Sequence, residues 1–432
     1  MTVSGLLIIG SSQAGVQLAV SLRALGYEPP ITLLGDEDHR PYQRPALSKE
    51  FLQDKISKES LIFRTAEYWD EHRIHVVKGE WIVRLERGPG GSGVAHSETG
   101  ASFPYDRLAL TVGARARRLE APGSTLDGVL YLRNADDALD LKARAASADR
   151  VVVVGGGFIG IEAAASLRAM GKTVTLLERG GRLVRRAVGP ETADFILRHH
   201  REQGIDIRLG AVVDEIVGEE GRVRAVRVGG EEIPADIVLV GIGVIPNTAL
   251  AEQLGLEVSN GIVVDRYATA SDGVTLAVGD CSNLPNPIAG SPAGERVRFE
   301  SVNHAIEQAK VAAYALAGRQ EEYENIPWFW SNQGALKLQI AGLSTGYDRV
   351  VDRSPADPAK LSLLYYRGER LIAADCINAP LDFMSVRQAL TKGIDLPAEA
   401  VADPSVPLKQ LLVSLERAAE SASEPPAENP GK

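Results

Sequence analysis

Two glycine-rich turns of similar sequence carry the clearest chemical signal in this chain of 432 residues. Leu6–Gly26 reads LLIIGSSQAGVQLAVSLRALG, and Val151–Gly171, 145 residues later, reads VVVVGGGFIGIEAAASLRAMG. Each copy joins an apolar run, a glycine turn and a helix-length stretch, then continues into a second apolar run that ends near an acidic residue. Such a turn exposes backbone N–H groups at a helix start, where they bind phosphate. The repeat therefore predicts two strand–turn–helix–strand units, each binding a dinucleotide.

The second copy has the complete dinucleotide fingerprint, with Gly155, Gly157 and Gly160 in the turn and Glu178 ending the following apolar run. The first glycine permits the tight turn, the second lets the backbone approach a pyrophosphate, and the third lets helix and strand pack closely. An acid at this place accepts hydrogen bonds from the adenosine ribose and repels a 2′-phosphate, which favours NADH over NADPH. Four arginines nearby are interpreted as a solvated basic face rather than a phosphate site. They are Arg179, Arg182, Arg185 and Arg186.

The first copy departs from the fingerprint at two positions. Ser12 takes the middle place between Gly10 and Gly15, and Gly35 stands where the acid is expected, so that Asp36 follows one residue late. The strand–helix context occurs twice nevertheless, which disfavours an interpretation as ordinary glycine loops. Two dinucleotide sites in one chain predict a flavin and a nicotinamide, FAD and NADH.

Composition excludes several other classes of protein. The formal net charge is −10, which argues against nucleic-acid binding because phosphate contacts need clustered lysine and arginine. Two cysteines are too few for a disulfide scaffold. The sequence has no cluster of cysteines and histidines that would indicate a metal site. The apolar runs are far shorter than the roughly 20 residues of a membrane span. Because the chain begins almost directly on Leu6–Ile9, we expect a first strand rather than a signal peptide, and a cytoplasmic enzyme without membrane association.

The order of strand-like and helix-like segments predicts an α/β fold with two Rossmann-like nucleotide-binding domains and a smaller C-terminal α/β domain. A glycine-rich hairpin at residues 86–100 interrupts the first unit, which the chain re-enters after the second unit. The last residues are rich in Pro, Ser and Glu and are predicted to be disordered. The expected divisions are 1–115 with 245–325 for the first nucleotide domain, 116–244 for the second, 326–415 for the C-terminal domain and 416–432 for the tail.

Four further segments, together with the glycine repeat, resemble one known family. They are Arg40–Lys49 (RPYQRPALSK), Leu239–Asn247 (LVGIGVIPN), Ala277–Asp280 (AVGD) and Pro327–Ser331 (PWFWS). From about residue 5 to about residue 415 the chain is similar to the FAD-dependent ferredoxin reductases of bacterial multicomponent oxygenases, the putidaredoxin-reductase-like and biphenyl-dioxygenase-reductase-like proteins. The resemblance implies the glutathione reductase fold, in which an FAD domain contains an inserted NAD domain and a C-terminal α/β domain follows.

The resemblance also implies a reaction. Disulfide reductases of this fold keep a cysteine pair beside the flavin, and related NADH oxidases and peroxidases keep a single redox cysteine, but His39–Lys49 contains none. We therefore expect hydride transfer from NADH to FAD and single-electron transfer to an iron–sulfur ferredoxin, of the two-iron two-sulfur type, that feeds an oxygenase. The alternatives are a flavin-dependent NADH oxidase or peroxidase, and an apoptosis-inducing-factor-like flavoprotein, which would be expected to carry targeting segments or a long insertion.

Roles for individual residues follow from the same resemblance. Lys49 is expected near the flavin N5, paired with Glu162, and both are predicted to be catalytic because a fixed cation there favours the anionic reduced flavin. Thr111–Gly113 departs from the family's Ala-Thr-Gly. The other expected FAD contacts are Gly10, Ala14 and Gly15 at the pyrophosphate, Asp36 at the adenosine ribose, Ile82 near the adenine, Arg133 from the crossing segment, Asp280 at the ribityl chain, Val302 at the isoalloxazine and Trp330 at the flavin edge.

A ferredoxin of this type is acidic, so a chain with a net charge of −10 needs a local basic patch to bind it. The candidates for this patch are Arg44, Arg296, Arg298 and Lys310. Cys281, His39 and His304 lack the neighbours that catalysis or metal binding would need, and we interpret them as packed or surface residues.

Overall fold

In the computed structural model, each glycine turn follows the central strand of a parallel five-stranded sheet. The structure describes residues 4–288, 292 and 294–423, with side chains through residue 418. It divides into two units: the first contains the residues up to Gly181 together with His200–Asn325, and the second contains Arg182–His199 and the residues from Ile326 onward. The second unit therefore includes a segment from the middle of the chain.

The strands and helices of the chain before residue 326 alternate, as expected for nucleotide-binding domains. The strands are β1 Leu6–Ile9, β2 Ile31–Leu34, β3 Ile74–Val77, β4 Ile82–Arg87, β5 Gly93–Ser97, β6 Ser102–Tyr105, β7 Arg107–Leu110, β8 Ala114–Ala116, β9 Val129–Tyr131, β10 Arg150–Val154, β11 Thr173–Glu178, β12 Asp206–Leu209, β13 Glu215–Glu219, β14 Arg222–Val228, β15 Glu231–Pro234, β16 Ile237–Val240, β17 Val244–Pro246, β18 Ile262–Val263, β19 Leu276–Ala277, β20 Ser282–Pro285 and β21 Arg296–Val297. The helices are α1 Gln13–Ala24, α2 Ala66–Glu71, α3 Ala135–Ala145, α4 Phe158–Ala169, α5 Pro190–Glu202, α6 Ala249–Gln253 and α7 Val302–Leu316.

The two parallel sheets have the same strand order. The first is β3-β2-β1-β7-β19 and the second is β12-β11-β10-β16-β9. In each sheet the helix after the glycine turn, α1 or α4, connects the central strand to its neighbour. All of β1 and residues 151–154 of β10 are buried, because a parallel sheet is covered on both faces. The sequence repeat thus extends from the turns to the whole sheets.

The fifth strand of each sheet comes from a different part of the chain. β9 comes before the other strands of the second sheet in sequence. β19, the fifth strand of the first sheet, comes after all strands of the second sheet. The chain crosses between the sheets through β8 and β17, which form an antiparallel pair. The predicted domain boundaries at 115/116 and 244/245 lie in this pair of strands, and the division into two nucleotide domains stays a prediction.

An antiparallel three-stranded sheet is inserted at the equivalent place in each half. β4-β5-β6 precedes β7, and β13-β14-β15 precedes β16. The range 86–100, predicted as a glycine-rich hairpin, contains the end of β4, the connection to β5 and β5 itself, and Gly90 in that connection has φ +66.

The second unit contains an antiparallel sheet of order β22-β23-β26-β25-β24 with helices packed on it. Its elements are β22 Trp328–Gln333, β23 Leu336–Gly342, β24 Arg349–Asp352, β25 Leu361–Arg367, β26 Arg370–Ile377, α8 Pro380–Lys392, α9 Ala398–Val401 and α10 Leu408–Ser423. The predicted α/β fold class, with its C-terminal α/β domain, is confirmed. Within residues 4–288, 292 and 294–423, no helix combines the length and the apolar composition needed to cross a membrane.

The disordered tail predicted from residue 416 begins too early. α10 continues to Ser423, because Leu408 and Leu412 pack into the core of the second unit with the helical spacing of an amphipathic helix. Glu416 in this helix also pairs with Lys392 of α8, with 2.8 Å between Nζ and Oε1. Residues 424–432 of the predicted tail lie outside the described residues.

Candidate functional site

The second turn shows what each of its glycines does. Gly155 has φ +111, and a Cβ there would lie 2.4 Å from the carbonyl oxygen of Gly241. A Cβ on Gly160 would lie 2.0 Å from the carbonyl oxygen of Gly155, so strand and helix meet backbone to backbone. Gly157 has an ordinary φ of −81, and among the described residues its Cβ would meet no atom closer than 4.0 Å. The missing side chain at Gly157 therefore leaves open space, which an approaching pyrophosphate requires.

The first turn keeps the same backbone contacts around a central serine. Gly10 has φ +116, a Cβ there would lie 2.2 Å from the carbonyl oxygen of Thr111, and a Cβ on Gly15 would lie 2.0 Å from that of Gly10. The Thr111 hydroxyl donates to the Gly10 carbonyl at 2.7 Å and so fixes the turn. Ser12 precedes α1, and its hydroxyl accepts a hydrogen bond from Arg44 Nε at 3.1 Å. An arginine side chain therefore lies beside this turn.

Glu178 is held against the second turn by the backbone. Its Oε2 accepts the Gly156 N–H at 2.7 Å, and its Oε1 accepts the Gly180 N–H at 2.5 Å. Each carboxylate oxygen keeps a further lone pair. The geometry therefore leaves acceptors for ribose hydroxyls, as the sequence predicts for this residue.

In the first copy a glycine replaces the acid, and a serine side chain from the turn fills the space beside it. A Cβ on Gly35 would lie 2.1 Å from Ser11 Oγ, so the Ser11 side chain requires a glycine where the second copy has its acid. Asp36, the predicted ribose ligand, is exposed at the end of β2. Its contact with the adenosine ribose stays a prediction.

Arg44 is a candidate phosphate ligand that the sequence reasoning missed, because it assigned Arg44 to a docking surface. The guanidinium donates to Ser12 Oγ at 3.1 Å, to the Arg133 carbonyl at 2.8 Å and to the Glu37 carboxylate. Glu37 also accepts the Tyr42 hydroxyl at 2.5 Å. These contacts fix a cation beside the turn whose middle glycine is a serine. The sequence signal that could have identified Arg44 as a phosphate ligand is its place in the family motif at residues 40–49, because arginine binds phosphate oxygens well.

Lys49 and Glu162 form a buried ion pair. Lys49 Nζ and Glu162 Oε2 are 2.7 Å apart, and the two residues are 9 % and 3 % exposed. The same Oε2 accepts the Ser48 hydroxyl at 2.6 Å, and the Ser48 carbonyl accepts the Ser166 hydroxyl at 2.7 Å. Because Lys49 follows the first repeat and Glu162 lies on α4, the pair joins the two repeats. The structure brings these residues together, and their catalytic roles stay predictions.

Other residues expected at FAD lie on elements that meet at the start of α1. Arg133 Nη2 lies 3.2 Å from Asp280 Oδ2. Gly279, just before Asp280, has φ +84, and a Cβ there would lie 3.1 Å from Ala14 Cβ. Val302 is the first residue of α7, which packs along α1. The structure thus groups these residues around the first turn, and their contacts with FAD stay predictions.

Ile82 and Trp330 occupy separate parts of the fold. Ile82 is buried in β4 and belongs to the same core cluster as Leu34 at the end of β2. Trp330 is half-buried on β22 of the second unit, with its ring 5.5 Å from that of Trp328, over which Arg387 lies. Their expected positions at the adenine and the flavin edge stay predictions.

The three remaining docking candidates are engaged by neighbours. The Arg298 side chain is 9 % exposed and donates to the Asp280 carbonyl at 3.1 Å. Arg296 donates to a carbonyl of β20 at 2.6 Å, and Lys310 pairs with Glu307 at 2.8 Å. The two arginines therefore bind backbone carbonyls of their own chain, and the position of the docking patch stays a prediction.

Both cysteines are buried. Burial raises the pKa of Cys281 to about 12 and also raises the pKa of Cys376. Burial lowers the pKa of His304 to about 3, so its ring is neutral, and it hydrogen-bonds the Tyr323 hydroxyl at 3.0 Å. His39 pairs with Asp136 at 2.8 Å. The thiolate is the reactive form of cysteine, so these groups agree with the interpretation of packed residues.

The donors and the open space at the two turns fit two dinucleotides, and comparison with known proteins agrees. Residues 4–309 match the family model described as pyridine nucleotide-disulphide oxidoreductase, and residues 328–412 match the reductase C-terminal model. The chain belongs to the pyridine nucleotide-disulphide oxidoreductase family. It is an FAD-dependent oxidoreductase that uses a pyridine nucleotide, and its resemblance to the ferredoxin reductases is confirmed.

Two similar proteins and one solved structure cover nearly all of the chain. Rhodocoxin reductase of Rhodococcus erythropolis is 42 % identical over 94 % of this chain and 93 % of its own. Putidaredoxin reductase of Pseudomonas putida is 36 % identical over 96 % of this chain and 98 % of its own. The solved covalent putidaredoxin reductase–putidaredoxin complex matches with a TM-score of 0.90 at 35 % identity, over 96 % of this chain and 99 % of the solved one.

Alanine at the second turn should separate nucleotide binding from folding. Gly157→Ala places a methyl group in open space, so the free energy of unfolding should change by less than about 0.5 kcal/mol, while NADH affinity falls at least about tenfold, the loss of one strong hydrogen bond. Gly160→Ala forces a methyl group against a carbonyl and should lower the free energy of unfolding by about 1–3 kcal/mol. Urea unfolding and NADH titration measure both quantities. Equal destabilisation of the two variants would contradict this division.

Removing one member of the buried pair should destabilise the protein more than removing both. Glu162→Leu leaves the Lys49 ammonium buried without its carboxylate, at a cost of about 3–5 kcal/mol in the free energy of unfolding. The double variant Lys49→Met/Glu162→Leu removes both charges and should lose clearly less. Urea unfolding of the wild type, both single variants and the double variant gives the coupling. The exposed Lys392–Glu416 pair is the control and should couple by less than about 1 kcal/mol; additive losses at Lys49 and Glu162 would rule out the coupling.

Proposed function

We propose that the chain is an NADH-dependent ferredoxin reductase, which passes electrons from NADH through FAD to an iron–sulfur ferredoxin. The observation that carries this proposal is the combination of two dinucleotide turns with two inert thiols. Cys281 and Cys376 are both fully buried with raised pKa values. Neither thiol is suited to relay electrons, so the electrons must pass from the flavin directly to a partner.

We assign FAD to the first turn and NADH to the second. The N–H groups at the start of α1, together with the Arg44 guanidinium, would hold the FAD pyrophosphate. At the second turn, the open space at Gly157 would admit the NADH pyrophosphate, and Glu178 would accept hydrogen bonds from the adenosine ribose. A carboxylate fixed by two backbone N–H groups repels a 2′-phosphate, which supports NADH over NADPH.

The protein contributes position and charge to the reaction. When bound, FAD accepts a hydride from NADH and gives up the two electrons one at a time. The Lys49 ammonium is held by Glu162 at 2.7 Å and is largely shielded from water. A cation fixed in advance stabilises developing negative charge without reorganisation. Lys49 would thus favour the reduced cofactor, and Glu162 would hold Lys49 in place.

The proposed partner is a ferredoxin of the two-iron two-sulfur type that feeds an oxygenase, in the cytoplasm. The similar proteins described above are reductases of rhodocoxin and putidaredoxin, and putidaredoxin reductase has been solved in a covalent complex with putidaredoxin. These names support a dedicated protein acceptor. An NADH oxidase or peroxidase is disfavoured because residues 39–49 contain no cysteine.

An acceptor assay tests the proposed function. The purified protein, loaded with FAD, should reduce cytochrome c rapidly with NADH only when a two-iron two-sulfur ferredoxin is added, because the flavin needs a one-electron carrier. The rates with and without ferredoxin are measured at equal NADH concentration, and oxygen consumption without ferredoxin is the control. Rapid oxygen consumption without ferredoxin would instead support an NADH oxidase.

Removing the Glu178 carboxylate should weaken the preference for NADH. Glu178→Ala loses the acceptors for the ribose hydroxyls and the repulsion of a 2′-phosphate, so kcat/KM for NADH should fall about tenfold, the size of one charge-assisted hydrogen bond, while use of NADPH improves. Steady-state kinetics with both nucleotides give the ratio. Glu219→Ala, an exposed acid on β13, is the matched control. An unchanged NADH/NADPH ratio in Glu178→Ala would remove the role given to Glu178.

A further inference from the structure

Asp375 is a buried carboxylate that none of the predicted site residues explains. It lies on β26 in the second unit and is 0 % exposed. Its Oδ2 accepts three hydrogen bonds, from the Gly189 N–H at 3.1 Å, the Thr192 hydroxyl at 2.8 Å and the Tyr365 hydroxyl at 2.6 Å. Its Oδ1 is buried and has no hydrogen-bond partner within the described part of the chain. A half-satisfied buried carboxylate is costly, so its presence needs a reason.

Two of the three donors lie at the start of α5, the helix that follows β11 and Glu178. Gly189 and Thr192 lie on either side of Pro190, the first residue of α5. Asp375 therefore supplies, from another element, the acceptor and the negative charge that a helix N-terminus favours. A Cβ on Gly189 would lie 2.4 Å from the Tyr365 hydroxyl oxygen, so the backbone itself is packed against this group.

The connection between Glu178 and α5, residues 179–189, contains one residue with a strained backbone. We call it the arginine segment because it carries Arg179, Arg182, Arg185 and Arg186. Val184 has φ +41, which is rare for a β-branched residue. Leu183 and Val184 are buried, and residues 182–199 group with the C-terminal part of the chain. Strain of this kind persists only where surrounding contacts impose it. The hydrogen bonds from Gly189 and Thr192 to Asp375 fix the end of this connection at the start of α5.

We propose that Asp375 is a positioning residue for NADH, which holds the arginine segment in place and thereby sets the affinity for the adenosine end of the nucleotide. The inference rests on the proposed NADH site at Glu178. In dinucleotide-binding units an arginine near the ribose-binding acid accommodates a 2′-phosphate, so the conformation of the residues that follow Glu178 would bear on nucleotide binding. Release of the segment therefore lowers NADH affinity while the FAD site is unaffected.

The hold depends on the charge of Asp375. Burial raises its pKa to about 6, Glu191 on α5 adds to this, and the hydrogen bonds from Tyr365 and Thr192 oppose it. Its cross-strand neighbours, Ile340 and Leu363, are apolar, and the adjacent Cys376 thiol is neutral. Protonation below about pH 6 makes the carboxyl a weaker acceptor for the Gly189 N–H and the Thr192 hydroxyl.

Stability changes in the opposite direction. The pKa of about 6 in the folded state lies above the ordinary value of 3.8, so the folded protein binds the proton more tightly than the unfolded chain. The contribution of Asp375 to stability therefore falls as the pH rises from about 4 to about 6. The folded protein is therefore less stable when Asp375 is ionised, although the ionised form is the one that holds the arginine segment. At neutral pH Asp375 is ionised.

The test compares NADH binding in Asp375→Asn and the wild type between pH 5 and pH 8. In the wild type, KM and the NADH dissociation constant should rise about tenfold below pH 6, the size of one charge-assisted hydrogen bond, with kcat little changed. In Asp375→Asn both should be high and independent of pH, while the flavin absorbance shows that FAD is retained. Urea unfolding without NADH should show the variant gaining stability relative to the wild type as the pH rises from 4 to 7.

Two further variants separate positioning from a general structural role. Thr192→Val removes the hydrogen-bond donor that lies on α5 and should raise KM for NADH at pH 8. Tyr365→Phe removes a donor of equal burial that belongs to the sheet, so it should leave KM at pH 8 unchanged and move the pH midpoint upward. Equal effects of the two variants, or a wild-type pH profile in Asp375→Asn, would overturn the inference. A wild-type protein that does not bind NADH would refute the proposed function instead. Even then, a difference in the free energy of unfolding between Asp375→Asn and the wild type that does not change with pH would refute the titration of Asp375.

Discussion

The buried ion pair between Lys49 and Glu162 is the contact on which the arrangement of the first unit depends. Two charges leave water at a high cost unless each is fully paired, so the position of Lys49 is set by α4. The position of α4 is set in turn by the second glycine turn, where Gly160 meets the backbone of Gly155 without a side chain between them. The residue expected at the flavin is therefore placed by the helix that starts at the turn proposed to bind NADH. Any shift of that helix would move both sites together.

The two repeats have diverged where a ligand would touch them and not where the backbone touches itself. Gly10 and Gly15, like Gly155 and Gly160, would bring a Cβ within 2.4 Å of a carbonyl oxygen, and both copies retain them. The middle position faces outward, and there the first copy has Ser12 bound to Arg44. The strand-end position also differs, because Ser11 fills the space beside Gly35. One backbone frame thus presents a cation at one turn and a carboxylate at the other, as two different cofactors require.

The features that could be predicted from the sequence are those encoded by short-range patterns. Apolar runs predicted the central strands of both parallel sheets, although not the edge strands β3 and β9. The spacing of the glycines predicted the turns, and the family resemblance predicted the pairing of Lys49 with Glu162. The features that could not be predicted depend on contacts between distant segments. Arg44 has the sequence context of a surface residue, and its inward orientation comes from Glu37 and Ser12. The extension of α10 past residue 416 depends on the core of the second unit, which the Glu-rich composition does not reveal.

The costly features of this chain are concentrated in one connection. Most of the structure agrees with its local sequence preferences, as expected of a chain that folds to one state. Val184 at φ +41 and the half-satisfied carboxylate of Asp375 depart from those preferences, and both act on the residues between Glu178 and α5. A neutral side chain at 375 and a glycine at 184 would relieve the two costs without changing the fold. Features that lower stability and have cheaper replacements are retained where function requires them. In this chain Val184 lies in the connection from Glu178 to α5, and Asp375 accepts hydrogen bonds from Gly189 and Thr192 at the end of that connection.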